Sequence, residues 1–173
     1  LKIVSSSNIV IVDWGCSNLR SIKNILKKVG VSSTISSDPE KITTSEKLIL
    51  PGIGSFDFAV QQLRKLDLID PLSFCALEKK TQILGICLGA QLMMRSSHEG
   101  NEKGLGWINY ETISFDKSKM NDQLKIPHMG WEDLQIVGNS KLFKNFVEPP
   151  RFYFLHSYHF SCFENNITTA TAN

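Results

Sequence analysis

Apolar residues crowd this chain into short continuous runs at its front and alternate with polar ones toward its end. Asn8-Ile9-Val10-Ile11-Val12-Asp13 is a continuous apolar run closed by an acid, the pattern of a central parallel strand. Trp14-Gly15-Cys16-Ser17-Asn18 reads as a turn, with Ser17 or Asn18 as N-cap of the next helix. Leu19, Ile22, Ile25, Leu26 and Val29 recur at helical spacing, and Gly30 is a fitting stop. Residues 31–36 predict a second strand and 39–45 a short helix. Lys47-Leu48-Ile49-Leu50 is a third strand, ended by Pro51-Gly52-Ile53-Gly54-Ser55. Leu63 and Leu66 mark another helix, and residues 71–80 one more. Gln82-Ile83-Leu84-Gly85-Ile86-Cys87 is a fourth apolar run, fit for a buried strand, and helical spacing begins directly after it.

Repeated strand–helix alternation predicts an α/β fold: a doubly wound, mostly parallel sheet flanked by helices. After Ser97 the texture changes. Residues 100–106 form a polar, glycine-containing loop, and 107–115, 131–137 and 152–163 read as added short strands, several antiparallel, in the C-terminal half. No repeat or linker divides the chain, so its 173 residues are expected to form a single domain.

Composition narrows the function classes. A net charge of +2, with no basic cluster longer than two lysines, gives no electrostatic case for nucleic acid or an anionic membrane. No apolar run approaches a bilayer-spanning length, and residues 1–7 lack a signal-peptide pattern. Cys16, Cys75, Cys87 and Cys162 show neither metal-ligand nor paired spacing, which fits a reducing, cytoplasmic setting with no metal and no cofactor.

In an open α/β sheet the ligand crevice lies at the carboxyl ends of the strands. Asp13, the Pro51-Gly52-Ile53-Gly54 segment and Cys87 are all expected there. Gly85-Ile86-Cys87-Leu88-Gly89 is the thiol counterpart of a nucleophile elbow, a tight strand-to-helix turn that presents a reactive atom. The start of a helix also favours the thiolate, the nucleophilic form of cysteine. For a developing oxyanion, the Leu88 N–H is one candidate donor and the backbone of Gly52, Ile53 and Gly54 a second. Taken alone, the glycine segment reads equally as a plain turn after a strand.

The base is less legible. His98 lies in the polar loop after the elbow helix, and His128 follows Pro127 in an aromatic turn. Alternation along the Tyr153-to-Phe160 run puts His156 and Tyr158 on one face and His159 on the other. None of the four has a defensible orienting carboxylate; Glu164 is the nearest.

Several separated motifs together resemble a known family. They are Asp13-Trp14-Gly15 through Asn18-Leu19, Leu50-Pro51-Gly52-Ile53-Gly54, Gly85-Ile86-Cys87-Leu88-Gly89-Ala90-Gln91-Leu92, Gly104-Leu105-Gly106, Pro127-His128-Met129-Gly130-Trp131 and Phe154-Leu155-His156-Ser157-Tyr158. In order and spacing they resemble the triad-type, class I glutamine amidotransferases, in particular the glutaminase subunits of imidazole glycerol phosphate synthases. The resemblance implies that Cys87 attacks the side-chain amide of glutamine, releasing ammonia and leaving a glutamyl thioester for water to cleave. It implies that Gln91, Glu99 and the His156-Ser157-Tyr158 segment hold glutamine, and that the peptide of Gly52-Ile53-Gly54 turns to complete the oxyanion hole. It further implies a synthase or cyclase partner, normally a (β/α)8 barrel, in a heterodimer that receives the ammonia through a channel. Asn18, Met129 and Trp131 match family positions near that partner.

Two departures qualify the resemblance. The family's Gln-Phe-His-Pro-Glu segment, with its catalytic histidine and glutamate, has no counterpart before Asn173, so the chain is expected to lack its C-terminal segment or its triad. Glu132 also follows Trp131 where histidine-pathway members usually carry asparagine. That resembles paralogues feeding ammonia to amino-sugar synthesis for surface polysaccharides. The alternatives are therefore such a paralogue, or a triad-deficient subunit that docks a barrel and binds glutamine.

Overall fold

The computed structural model describes residues 8–16, 18–119, 125–137, 141–161 and 168–172. Contacts divide the chain into two compact units, Leu1–Tyr110 and Glu111–Asn173.

The first unit is built on four parallel strands: β1 (Ile9–Val12), β2 (Ser33–Ser36), β3 (Lys47–Gly52) and β4 (Gln82–Cys87), in the order β2-β1-β3-β4. Side chains alternate across these strands, so each run divides between two cores. Val10, Val12, Leu48 and Leu50 face one cluster with Ile42, Phe56, Leu63, Leu72 and Leu92. Ile11 and Ile49 face the other, covered by Leu19, Ile22 and Leu26. This is why β1 and β3 read as unbroken apolar runs. Each fully buried leucine contributes about 1.5–3 kcal/mol of burial free energy.

The helices are α1 (Leu19–Lys28), α2 (Pro39–Thr44), α3 (Phe56–Lys65), α4 (Ile69–Ser73) and α5 (Leu88–Leu92). The expected stop of α1 is present: Gly30 has φ +80°, and the N–H groups of Gly30 and Val31 close on Lys27 O and Leu26 O at 3.0 and 2.8 Å. Of the two caps expected at its start, Asn18 does not serve. Asn18 occupies the N-cap position with left-handed backbone, φ 76°, and its side chain caps nothing; Ser17 lies outside the described residues. The buried stripe is also narrower than its spacing predicts, because Ile25 and Val29 are exposed. The helix expected over 71–80 is α4 followed by a wider π turn, Phe74–Glu78.

Two further expectations change. β4 is not buried on both faces: among the described residues it is an edge strand paired only with β3, and Leu84 and Ile86 are 53% and 37% exposed. Composition marks a strand, but its place in the sheet depends on neighbours distant in sequence. After Cys87 the helix lasts five residues, and Met94–Ser97 forms β5. His98 therefore follows a strand, not the elbow helix.

The second unit contains short antiparallel pairs. β6 (Ile108–Ser114) begins in the first unit, and its later residues pair with β10 (Tyr158–Phe160). β7 (His128–Asp133) pairs with β9 (Arg151–His156), and β8 (Gln135–Ile136) with β11 (Ala170–Thr171). The 152–163 run is thus two strands in different pairings, broken at Ser157, so alternation does not carry from His156 to Tyr158. Cys162 and Glu164 lie outside the described residues.

Candidate functional site

The carboxyl rim of the first unit brings together the features expected there. β3 and β4 run in parallel with Gly52 opposite Cys87, so the glycine segment begins beside the thiol. Trp14, at the end of β1, donates its indole N–H to Pro51 O at 2.7 Å, and the Cys16 thiol lies 3.8 Å from the same oxygen. Pro51 is thereby tied to the end of β1, and Ile53 and Gly54 continue as an exposed turn in which Gly54 has φ +109°. No feature of the Trp14 motif announced that anchor.

Cys87 is exposed and has φ 54°, ψ −121°, a conformation costing a non-glycine residue about 1–3 kcal/mol. It persists because β4 passes into α5 with no connecting residue, and close packing fixes the turn. A Cβ on Gly89 would fall on Leu50 O, one on Gly52 would stand 2.5 Å from Gly89 N, and one on Gly85 2.6 Å from Ala90 Cα. Backbone approach this close admits only glycine. Leu88 opens α5 next to the thiol with its side chain buried. Gln91 lies one turn on, and its Oε1 is buried with no donor among the described residues.

Glu99, in the loop after β5, has its carboxylate near the N–H of Phe56, the first residue of α3. Burial pushes this carboxyl above its ordinary range, the Phe56 bond opposes that, and the nearby Asp57 charge adds to it. The side chain as a whole is still exposed, so the desolvation is local to the carboxyl group.

The other thiols are held differently. Burial, with the Asp13 charge adding, pushes Cys16 up to about 11, while its own backbone bond opposes. Burial also raises Cys75. In a Cys162→Ser background, iodoacetamide at about pH 8 is expected to modify Cys87 at least about tenfold faster than Cys16 or Cys75. Peptide mapping reads the order, and prior labelling of Cys16 would contradict it.

In the second unit, His128 and His156 face each other across β7 and β9. His156 Nδ1 lies 2.8 Å from Tyr158 O, which can only accept, so Nδ1 carries the proton and Nε2 accepts from His128 Nδ1–H at 2.9 Å. His128 Nε2 lies 3.8 Å from Glu132 Oε1, and Phe115 packs on the rings of both His156 and His159. The sequence did not announce this pair, although both residues sat in recognised motifs. Burial holds His156 below the usual histidine range, the Tyr158 carbonyl opposes, and His128 and His159 add to the lowering. Between that depressed value and the ordinary 6.5, the unfolded ring binds a proton and the folded one does not. Stability therefore rises with pH through this window. Melting temperature is expected to fall as pH drops below about 6.5, and His156→Gln to flatten that slope; an unchanged slope would contradict the assignment.

The opposite face of this strand pair is apolar and open. Met129 pairs with Leu155 and Trp131 with Tyr153, and these four are 52–63% exposed. Asn18 is in the first unit, at the start of α1. A groove of about 520 Å³ lined by Asp13, Cys16, Asn18 and Arg20 contains none of the residues expected to hold glutamine, and we assign it no substrate.

The family model for glutamine amidotransferase class-I matches residues 10–173. This chain belongs to that family. Imidazole glycerol phosphate synthase subunit HisH 2 of Methanococcus maripaludis is 44% identical over 95% of this chain and 85% of its own length. The protein of the same name from Pseudomonas aeruginosa is 41% identical over 87% of this chain and 73% of its own length. A crystal structure described as a glutamine amidotransferase superposes with a TM-score of 0.69 at 18% identity, covering 94% of this chain and 78% of the other, a likeness of fold. Among the described residues, no helix is long and apolar enough to cross a membrane.

Proposed function

We propose that this class-I amidotransferase is the glutaminase subunit of an imidazole glycerol phosphate synthase, acting in histidine synthesis. The observation that carries the reading is the exposed, left-handed Cys87 at a strand-to-helix elbow, with Gly52 paired opposite it. The names of the relatives, at 44% and 41% identity, support the pathway. The family match crosses both compact units, which supports treating them as one glutaminase domain.

In the proposed reaction Cys87 Sγ forms a bond to the amide carbon of glutamine. The Leu88 N–H and a peptide N–H from Gly52, Ile53 or Gly54 receive the oxyanion. The C–N bond then breaks as the proton released by the thiol passes to the amide nitrogen, which leaves as ammonia. Water then adds to the thioester carbon, the C–S bond breaks, glutamate is released and the water's proton returns to the sulfur. Gln91 offers a buried oxygen that lacks a donor among the described residues, and Glu99 a carboxylate suited to the substrate ammonium; His156, Ser157 and Tyr158 of the second unit are proposed as further glutamine contacts. His128 and His156 are bonded to one another, and neither is assigned as the base.

The partner proposed is a synthase subunit with a (β/α)8 barrel, forming a heterodimer in the cytoplasm. Met129 and Trp131, on the open face of the β7–β9 pair, are proposed to touch that partner, and so, separately, is Asn18 of the first unit. Trp131→Asp is expected to weaken binding of that subunit at least about tenfold, read by calorimetry, because it places a charge in an apolar contact. The function is tested by supplying glutamine to the chain together with the synthase subunit of its own organism. Glutamate release coupled to product formation is expected; no glutamate release would overturn the proposal.

A further inference from the structure

Asp57 is the second residue of α3, where an acid ordinarily faces the N–H groups of its own helix. Here it turns to a different segment. Its Oδ1 accepts the N–H of Asn101 at 2.9 Å and of Glu102 at 2.9 Å, and Oδ2 lies 3.1 Å from the Asn101 nitrogen. On the other side of Gly100, the Glu99 carboxylate lies near the Phe56 N–H, which opposes the rise in its pKa. Gly100, between the two contacts, is so close that a Cβ there would fall on Asp57 Oδ1. Glu102 adds an outer tie to Arg64 at 3.0 Å. The Asp57 carboxylate therefore stitches the loop carrying Glu99 to the helix that starts just beyond Gly54.

We infer that Asp57 is a positioning residue for glutamine binding, holding residues 101 and 102 so that Glu99 is fixed at the head of α3. The inference rests on the glutaminase reading above, in which Glu99 receives the substrate ammonium. A side chain that merely capped a helix would support stability and leave substrate affinity alone. A side chain that sets the place of Glu99 acts on glutamine binding, and only while Glu99 is present.

The test is steady-state glutaminase kinetics of the chain paired with its synthase subunit. Asp57→Ala is expected to raise the KM for glutamine about tenfold, with kcat held within about twofold. Asp57→Asn retains one acceptor oxygen and is expected to raise KM about threefold. Gly100→Ala displaces the carboxylate from the loop side and is expected to raise KM as well. Should Asp57→Ala fail to fold, the Asn and Gly100 variants carry the comparison. In a Glu99→Ala background, Asp57→Ala is expected to add nothing to KM, because the two act as one unit. Unmoved KM in the Asp57 and Gly100 variants, a loss confined to kcat, or additive effects with Glu99→Ala would overturn the inference while the glutaminase reading stood. A wild-type complex that turns over no glutamine would overturn both.

Discussion

Cys87→Ala is expected to lower glutamine hydrolysis by the paired complex at least about 10⁴-fold, since no other group replaces a lost covalent nucleophile. The variant is expected to fold, because Cys87 is exposed and removal of its sulfur opens no cavity. Cys87→Gly separates function from stability further. With φ at 54°, the native residue sits where glycine carries no Cβ penalty, so the glycine variant is expected to melt at or above the wild-type temperature while equally inactive. Release of glutamate by either variant at near wild-type rate would remove the thiol from the chemistry. A marked fall in melting temperature for Cys87→Gly would remove the strain.

Gly89→Ala is expected to be the most damaging single-methyl change in the first unit. Its new Cβ would fall on Leu50 O, a backbone atom in β3, which lies between β1 and β4 and cannot rotate aside as a side chain would. Leu50 is fully buried, so relief must come from moving α5 or β3 through the larger core. Overpacking against a fixed backbone should cost about 3 kcal/mol. Chemical denaturation measures this, and a change near zero would show that the elbow is looser than its packing indicates. Since the same contact places the thiol beside Gly52, the folded fraction is also expected to lose glutaminase activity.

Much of the site was legible because its parts are local. A glycine two residues either side of Cys87 implies close backbone passage, and the structure has Gly85 and Gly89 in that role. The parallel strands and their shared carboxyl rim followed from unbroken apolar runs ending in Asp13, Pro51 and Cys87. The misreadings fall where pattern and partner separate. β4 has the composition of a buried strand and, among the described residues, lies at an edge, and the run through His156 and Tyr158 alternates as one strand yet pairs as two. Apolar period reports which face of an element is covered, not which element covers it.

The sequence by itself determined the alternation of strands and helices, the elbow at Cys87 and the family to which the chain belongs, since each is written in residues close together. Only the tertiary structure decided that Trp14 anchors Pro51, that Asp57 binds the loop of Glu99 and that His128 bonds His156. Those contacts join residues 37, 44 and 28 positions apart. Their geometry is set by how the strands pair and pack, and no local pattern of apolar and polar residues encodes it.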